Sequence, residues 1–224
     1  LIPIKRPTQP LLSLKLSNKE YENFDLALSQ AKKWRWKSVK IISQKIENED
    51  ARNILNWIRH YNGADDLTFT DYRNFLSDNS HWPLINSIKI KTENKISFSD
   101  DHSRLIDYFK DQKPLTGWGK IYYGNSLLKK GNDALAELLI KEGYISGSFT
   151  RNEQKIIISK FKNFLTQEDH KKRINQLLWN GKYGTARSLV KYVEKDYQKL
   201  FEARIGLISF SGGVDQLVSN VPEK

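Results

Sequence analysis

The strongest constraint on the fold is a helix–turn–helix pattern that the chain contains twice. In the clearer copy, within His170 to Leu207, Leu177-Leu178-Trp179 closes one helix and Asn180-Gly181 ends it. Glycine stops a helix readily because it adopts the left-handed conformation at little cost. After this turn, apolar residues recur every three or four positions and predict a second helix with one apolar stripe: Tyr183, Ala186, Leu189, Val190 and Val193. A turn this short makes the two helices antiparallel neighbours.

The second copy lies about fifty residues earlier, where Leu127-Leu128-Lys129-Lys130-Gly131 matches Leu177-Leu178-Trp179-Asn180-Gly181. Further matched pairs are Thr116 and Thr166, Ala136 and Ala186, Leu139 and Leu189, Ile140 and Val190, and Lys141 and Lys191. Such repetition is typical of stacked helical hairpins, in which each unit buries its apolar face against its neighbours. The sequence therefore predicts an all-α fold, a superhelix or solenoid of antiparallel hairpins without a sheet.

The remainder of the chain also has helical patterns and no strand-like alternation. Capping boxes at Ser17–Glu20 and Thr150–Glu153 predict two helix starts. Three prolines in residues 1–16 predict an extended N-terminal arm, and we expect residues 17–224 to form the α-superhelical domain. No apolar stretch is long enough to cross a bilayer, so no membrane span is expected.

The net charge of +11 suggests a polyanionic partner such as nucleic acid, anionic lipid or an acidic polymer. However, Lys residues are spread over nearly every predicted helix and are interleaved with Asp and Glu. This interleaving is typical of solvated helix faces rather than of one dedicated binding stripe. We therefore do not expect nucleic acid as a partner.

Residues for catalysis or metal binding are not apparent. Cysteine is absent, and the four histidines, His60, His81, His102 and His170, are isolated and fit surface or helix-end positions. The acidic clusters near Glu47, Asp65 and Asp100 fall in predicted loops or first helical turns, where carboxylates favour the positive end of a helix. We predict no catalytic, metal-binding or cofactor-binding residue.

The cluster Trp34-Arg35-Trp36-Lys37 is the candidate polymer-contacting site. Aromatic faces stack on sugar rings or bases while neighbouring cations hold anionic groups. The competing interpretation places one Trp in the core and wedges the other between hairpins. The other four tryptophans, Trp57, Trp82, Trp118 and Trp179, are expected to pack between helices.

A family resemblance rests on the spacing of these residues. The motif residues are Arg173, Leu177, Leu178, Trp179, Gly181, Tyr183, Ala186 and Arg187, followed by Ala203 and Arg204 in Phe201–Leu207 and by Val221-Pro222. Upstream, Trp57, Phe75, Trp82-Pro83, Phe109, Pro114 and Gly124 occur in the corresponding order. The chain resembles, over roughly residues 20–222, the superhelical domain of bacterial soluble lytic murein transglycosylases.

This resemblance implies a periplasmic protein whose signal peptide has been removed and whose partner is peptidoglycan. Enzymes of this family cleave glycan strands between N-acetylmuramic acid and N-acetylglucosamine and leave a 1,6-anhydro end. Their catalytic acid is the Glu of a Glu-Ser pair in a lysozyme-like domain, and no Glu precedes a Ser here. We therefore expect a non-catalytic helical scaffold that positions the polymer. The alternative is a tetratricopeptide-like repeat module that binds a protein partner.

Overall fold

The computed structural model describes residues 15–210 and 212–222, and these residues form an all-α fold. They contain 13 α-helices and one short 3-10 helix, with no β-strand, as predicted. Within the same ranges, no helix combines the length and apolar character needed to span a membrane. The predicted N-terminal arm lies outside the described residues except for its last two, Lys15 and Leu16.

The chain divides into two compact units between Thr92 and Glu93. The helices of the first unit are α1 (Asn18–Lys32), α2 (Trp36–Ser43), α3 (Glu49–Asn62), α4 (Phe69–Asp78) and α5 (Ile85–Glu93), whose last residue belongs to the second unit. Helices α1, α2 and α3 pack against one another. The stacking of all hairpins into one superhelix stays a prediction.

The second unit contains the remaining helices and one large apolar core. These helices are α6 (His102–Phe109), α7 (Gly117–Lys129), α8 (Asp133–Ser146), α9 (Arg151–Phe161), α10 (Gln167–Trp179), α11 (Tyr183–Arg187), the 3-10 helix Val190–Tyr192, α12 (Lys195–Ile208) and α13 (Val214–Ser219). The core joins residues of α7 to α12, among them Ile121, Ile140, Ile157, Ile174 and Phe201.

The two helix starts predicted from capping boxes are confirmed. Ser17 and Thr150 form the two predicted capping boxes, with Glu20 and Glu153. Such a box satisfies amide groups that the first turn of a helix leaves without partners.

The repeated hairpin pattern is present in the structure as well. Helices α7 and α10 are each 13 residues long and are capped by Thr116 and Thr166 respectively. Gly131 and Gly181 both adopt left-handed backbone conformations, with φ of 78° and 69°. In each turn, the amide of the residue that follows this glycine donates to the carbonyl of the first leucine. The distance is 3.0 Å from Asn132 to Leu127 and 2.8 Å from Lys182 to Leu177.

The second helices of the two hairpins differ, and this corrects one prediction. Helix α8 has 14 residues, whereas α11 ends at Arg187 after five, and Val193 is extended rather than helical. Gly184 and Thr185 are poor helix formers, and the Ser188 hydroxyl donates to the Thr185 carbonyl at 2.7 Å. The apolar spacing is kept without one continuous helix, since Ala186, Leu189, Val190 and Val193 are all buried.

Candidate functional site

The predicted polymer-contacting cluster covers the turn between α1 and α2 and the first two residues of α2, in the first unit. Trp34 has a left-handed backbone conformation, with φ of 58°, and 64% of its surface is exposed. A non-glycine residue rarely adopts this conformation. The Trp34 ring lines a shallow pocket of about 300 Å³, whose other lining residues are Leu28, Ala31, Lys32, Ile58 and Asn62.

Trp36 does not share this exposed position, as the competing interpretation expected of one of the two tryptophans. Only 5% of its surface is exposed, and its ring meets Trp34 edge-to-face with 5.5 Å between the ring centroids. Trp36 therefore belongs to the core, while the side chains of Arg35 and Lys37 are exposed beside Trp34. One aromatic face and two neighbouring cations remain available to a ligand.

The family-motif residues lie in the second unit, where Arg173 links three segments. Its guanidinium donates to the Ile145 carbonyl at 3.0 Å, to the Gly147 carbonyl at 2.6 Å and to Gln154 Oε1 at 3.3 Å. Burial lowers the pKa of this guanidinium. Arg173 thus connects α10 with the end of α8 and with α9.

The other motif residues hold the same region together, with one exception. Four of them are buried: Leu177, Leu178, Ala186 and Ala203. Tyr183 packs against the core. Arg187 forms an ion pair with Glu202 at 3.2 Å, and Arg204 donates to Asn175 at 2.6 Å. Trp179 is the exception, because 89% of its surface is exposed. It does not pack between helices as expected, since it follows the last buried turn of α10 and points away from the core.

A polar cleft in the first unit was not predicted from the sequence. It measures about 460 Å³ and lies among α2, α3, α4 and the loop before α4. Its lining is almost wholly polar: Lys40, Glu49, Asn53, Asn56, Arg59, His60, Asp66, Leu67, Asp71, Asn74, Phe75, Asp78 and Asn79. The sequence feature that coincides with this cleft is the Asp65–Asp66 pair, and such a pair is more typical of a loop than of a binding site.

The base of this cleft contains buried polar atoms whose hydrogen-bonding capacity is not used. Arg59 and Asp66 form an ion pair at 2.7 Å, and both residues line the cleft. Arg59 Nε, His60 Nε2 and Asp66 Oδ1 are buried and have no hydrogen-bond partner among the described residues. Buried polar atoms in folded proteins are nearly always satisfied by protein, water or ligand.

His60 is in the last turn of α3, one of the two kinds of position expected for it, and only 3% of its surface is exposed. Its ring stacks on Phe75, with centroids 4.3 Å apart, and Nδ1 is 2.8 Å from the Asn56 carbonyl. Burial lowers the pKa of His60, so the ring is neutral at pH 7. A carbonyl only accepts, so the contact with Asn56 favours the tautomer with the proton on Nδ1 and Nε2 as an acceptor, while the Asp71 backbone also raises the pKa of the ring.

The carboxylates, cations and side-chain amides of this cleft can recognise a ligand by hydrogen bonds and charge. Among residues 15–210 and 212–222, no three His, Asp or Glu side chains converge as a metal site.

No protein-family model matches the chain, nor does any curated protein or solved structure compared with it.

Proposed function

We propose that this chain is the helical scaffold portion of a periplasmic peptidoglycan lytic transglycosylase and that it positions glycan strands. The observation that carries this proposal is the repeated hairpin, with matched caps, left-handed glycines and buried alanines. Gly181 and Ala186 of this hairpin also belong to the motif that resembles the superhelical domain of that enzyme family. In the proposal the described helices supply no catalytic group, and strand cleavage occurs in a lysozyme-like domain of the parent enzyme.

Trp34 supplies the contact with the polymer in this proposal. Its exposed ring stacks on a sugar face, and the adjacent Arg35 and Lys37 attract the carboxylates of the peptide stems. The net charge of +11 favours association with an anionic wall polymer.

Co-sedimentation with purified sacculi tests this contact. We expect Trp34→Ala to weaken binding by about tenfold, which corresponds to roughly 1.4 kcal/mol for a lost stacking contact. Trp179→Ala is the matched control because it removes an even more exposed tryptophan from the second unit. Equal losses for the two variants would argue against a Trp34 site.

The products of the same incubation test the non-catalytic part of the proposal. We expect the chain to release no soluble 1,6-anhydro-muropeptides from sacculi during prolonged incubation. Their appearance, in proportion to the amount of purified chain, would contradict the assignment.

A repeat module that binds a protein partner is the second candidate, and a groove in the second unit favours it. This groove of about 590 Å³ runs beside α7 and α8 and contains Phe109, Tyr123 and Leu139 with the exposed Leu135 and Leu138. Apolar grooves rimmed by charge are typical of peptide docking. Stoichiometric retention of one protein in pull-downs, with no affinity for sacculi, would favour this function.

A further inference from the structure

We propose that the polar cleft of the first unit is a binding site for a small organic cation that carries ammonium groups. This inference does not depend on the proposed contact of Trp34 with glycan. It rests on the charge of the cleft, on its unused acceptor atoms and on the position of one carboxylate.

The cleft is acidic although the chain is strongly basic. Four carboxylates line it, from Glu49, Asp66, Asp71 and Asp78, against two cations, Lys40 and Arg59. With His60 neutral, the lining has a net charge of −2 (two minus four), whereas the whole chain has +11. A site of this sign attracts cations and repels anions.

Two of the three unused hydrogen-bonding atoms are acceptors and point to a ligand with N–H donors, while the third, Arg59 Nε, is itself a donor. His60 Nε2 and Asp66 Oδ1 are both acceptors and both lack a donor among the described residues. The two side chains line the cleft, and the His60 side chain is almost wholly buried. An ammonium group supplies up to three donors and positive charge together. Side-chain amides of Asn53, Asn56, Asn74 and Asn79 add further acceptors around the cleft.

Asp78 gives an independent reason to regard the acidic lining as functional. Glu49 and Asp71 lie in the first turns of α3 and α4, where the helix dipole favours acids. Asp78 is the last residue of α4, where the same dipole disfavours a carboxylate. Helix stability therefore does not explain an acid at this position, whereas attraction of a cationic ligand does.

An organic cation fits this cleft better than a metal ion. A metal needs several ligands that converge within about 2–2.6 Å of one point. No three described acidic or histidine side chains converge in that way. Carboxylates distributed along a cleft of about 460 Å³ instead match a ligand whose charges are separated by a short chain.

Calorimetric titration of the full chain with three five-carbon probes tests the proposal. The probes are 1,5-diaminopentane, 1,5-pentanediol and glutarate, which present ammonium, hydroxyl and carboxylate groups on the same chain length. We expect saturable 1:1 binding of the diamine with a Kd of about 1 mM or lower, and no binding of glutarate. Failure of the diamine to bind, or equal binding of the diol or glutarate, would overturn the proposal.

Paired variants then locate the site. Glu49→Gln with Asp78→Asn should weaken diamine binding about five- to tenfold, because two attractive charges are lost. Glu22→Gln with Asp25→Asn is the matched control, since it removes the same charge from exposed positions on α1 outside the cleft. Thermal unfolding confirms that both variants fold. An unchanged affinity in the first variant, or an equal loss in the control, would place the binding elsewhere and refute this site.

Discussion

At the scale of single residues, the most informative side chain is Arg173. It is the largest of the fully buried side chains, and among the described residues it has no carboxylate partner. Its charge is accommodated by two carbonyls near the end of α8 and by Gln154. A helix ends with carbonyl groups that lack internal partners and carry partial negative charge, so a cation is favourable there.

Replacement of Arg173 should therefore cost much of the stability of the second unit. We expect Arg173→Met to lower the free energy of unfolding by about 2–4 kcal/mol, because the Ile145 and Gly147 carbonyls lose their donor while buried. Urea denaturation at pH 7 measures the change. Arg187→Met is the control, since its pair with Glu202 is half exposed and should contribute less than about 1 kcal/mol. An equal loss of stability in Arg173→Met and Arg187→Met would show that the buried contacts of Arg173 contribute no more than a half-exposed ion pair.

The two buried histidines predict how stability depends on pH. Burial lowers the pKa of both His60 and His170, and the Tyr144 hydroxyl lies 2.8 Å from His170 Nδ1. An unfolded histidine, with a pKa near 6.5, takes up a proton that the folded site disfavours, so the unfolded state binds more protons in acid. Stability should consequently fall as the pH decreases from about 7 to 5, by up to roughly 1.4 kcal/mol per pH unit for each histidine.

Thermal unfolding across this pH range checks the effect of the histidines. The double variant His60→Gln and His170→Gln should show a smaller loss on acidification than the parent chain. His81→Gln, which changes an exposed histidine, should retain the full loss. A parent chain that is equally stable at pH 7 and pH 5 would contradict this account.

At the scale of elements, α7 and α8 pack directly against each other, and glycines allow their close approach. A Cβ atom on Gly124 would lie 2.8 Å from Ile140 Cγ1 and 2.9 Å from the Ala136 carbonyl. Real Cβ atoms do not approach other atoms this closely, so the two backbones are in contact because no side chain lies between them. The corresponding α10–α11 hairpin has a shorter second helix, and fewer of its residues pack in this way.

A methyl group at this contact should separate the helices. We expect Gly124→Ala to lower the free energy of unfolding by about 1–3 kcal/mol through overpacking, although alanine is the better helix former. Gly184→Ala in α11 is the matched control, because its Cβ would meet only the terminal guanidinium nitrogen of Arg151 at 3.0 Å, a side-chain end that donates to the Gly184 carbonyl at 3.3 Å and can shift by a few tenths of an ångström. The control should be neutral or should gain up to about 1 kcal/mol. Urea denaturation measures the free energy of unfolding of both variants. An unchanged value for Gly124→Ala would mean that α8 moves away from α7 without loss of stability, which would contradict the prediction.

At the scale of the whole molecule, the chain consists of two compact units that meet in sequence between Thr92 and Glu93. The large apolar core, from Ile121 to Ile205, lies entirely within the second unit. Glu93 also belongs to this unit, since its carboxylate accepts from the Leu115 and Thr116 amides just before α7. A unit with its own core and caps is expected to fold alone.

A fragment of residues 93–224 should therefore be folded without residues 1–92. Circular dichroism should show a helical spectrum, and urea should unfold the fragment in one cooperative transition. The fragment carrying Arg173→Met is the control, because the substitution should lower the transition midpoint as it does in the full chain. A fragment without a cooperative transition would show that the second unit needs the first.

The sequence correctly predicted the all-α class, the two capping boxes, and the first helix and glycine turn of the repeated hairpin. It did not predict the early end of α11, because the spacing of buried residues there is the same as in a helix. It did not distinguish Trp34 from Trp36 or identify Trp179 as exposed, since apolar side chains occur both inside and outside folded proteins. The polar cleft was missed because its residues come from three helices and a loop.

What the sequence determined by itself is therefore local: where helices begin, where Gly131 and Gly181 end them, and which face of each is apolar. These signals act through hydrogen bonds and side chains within about one helical turn. Only the tertiary structure decided that Arg173 reaches Ile145, 28 positions away, and that Arg59, His60 and Asp66 border an acidic cleft. The physical reason is that burial and charge pairing depend on which helix faces pack together, and the repeated hairpins share one local pattern but have different neighbours.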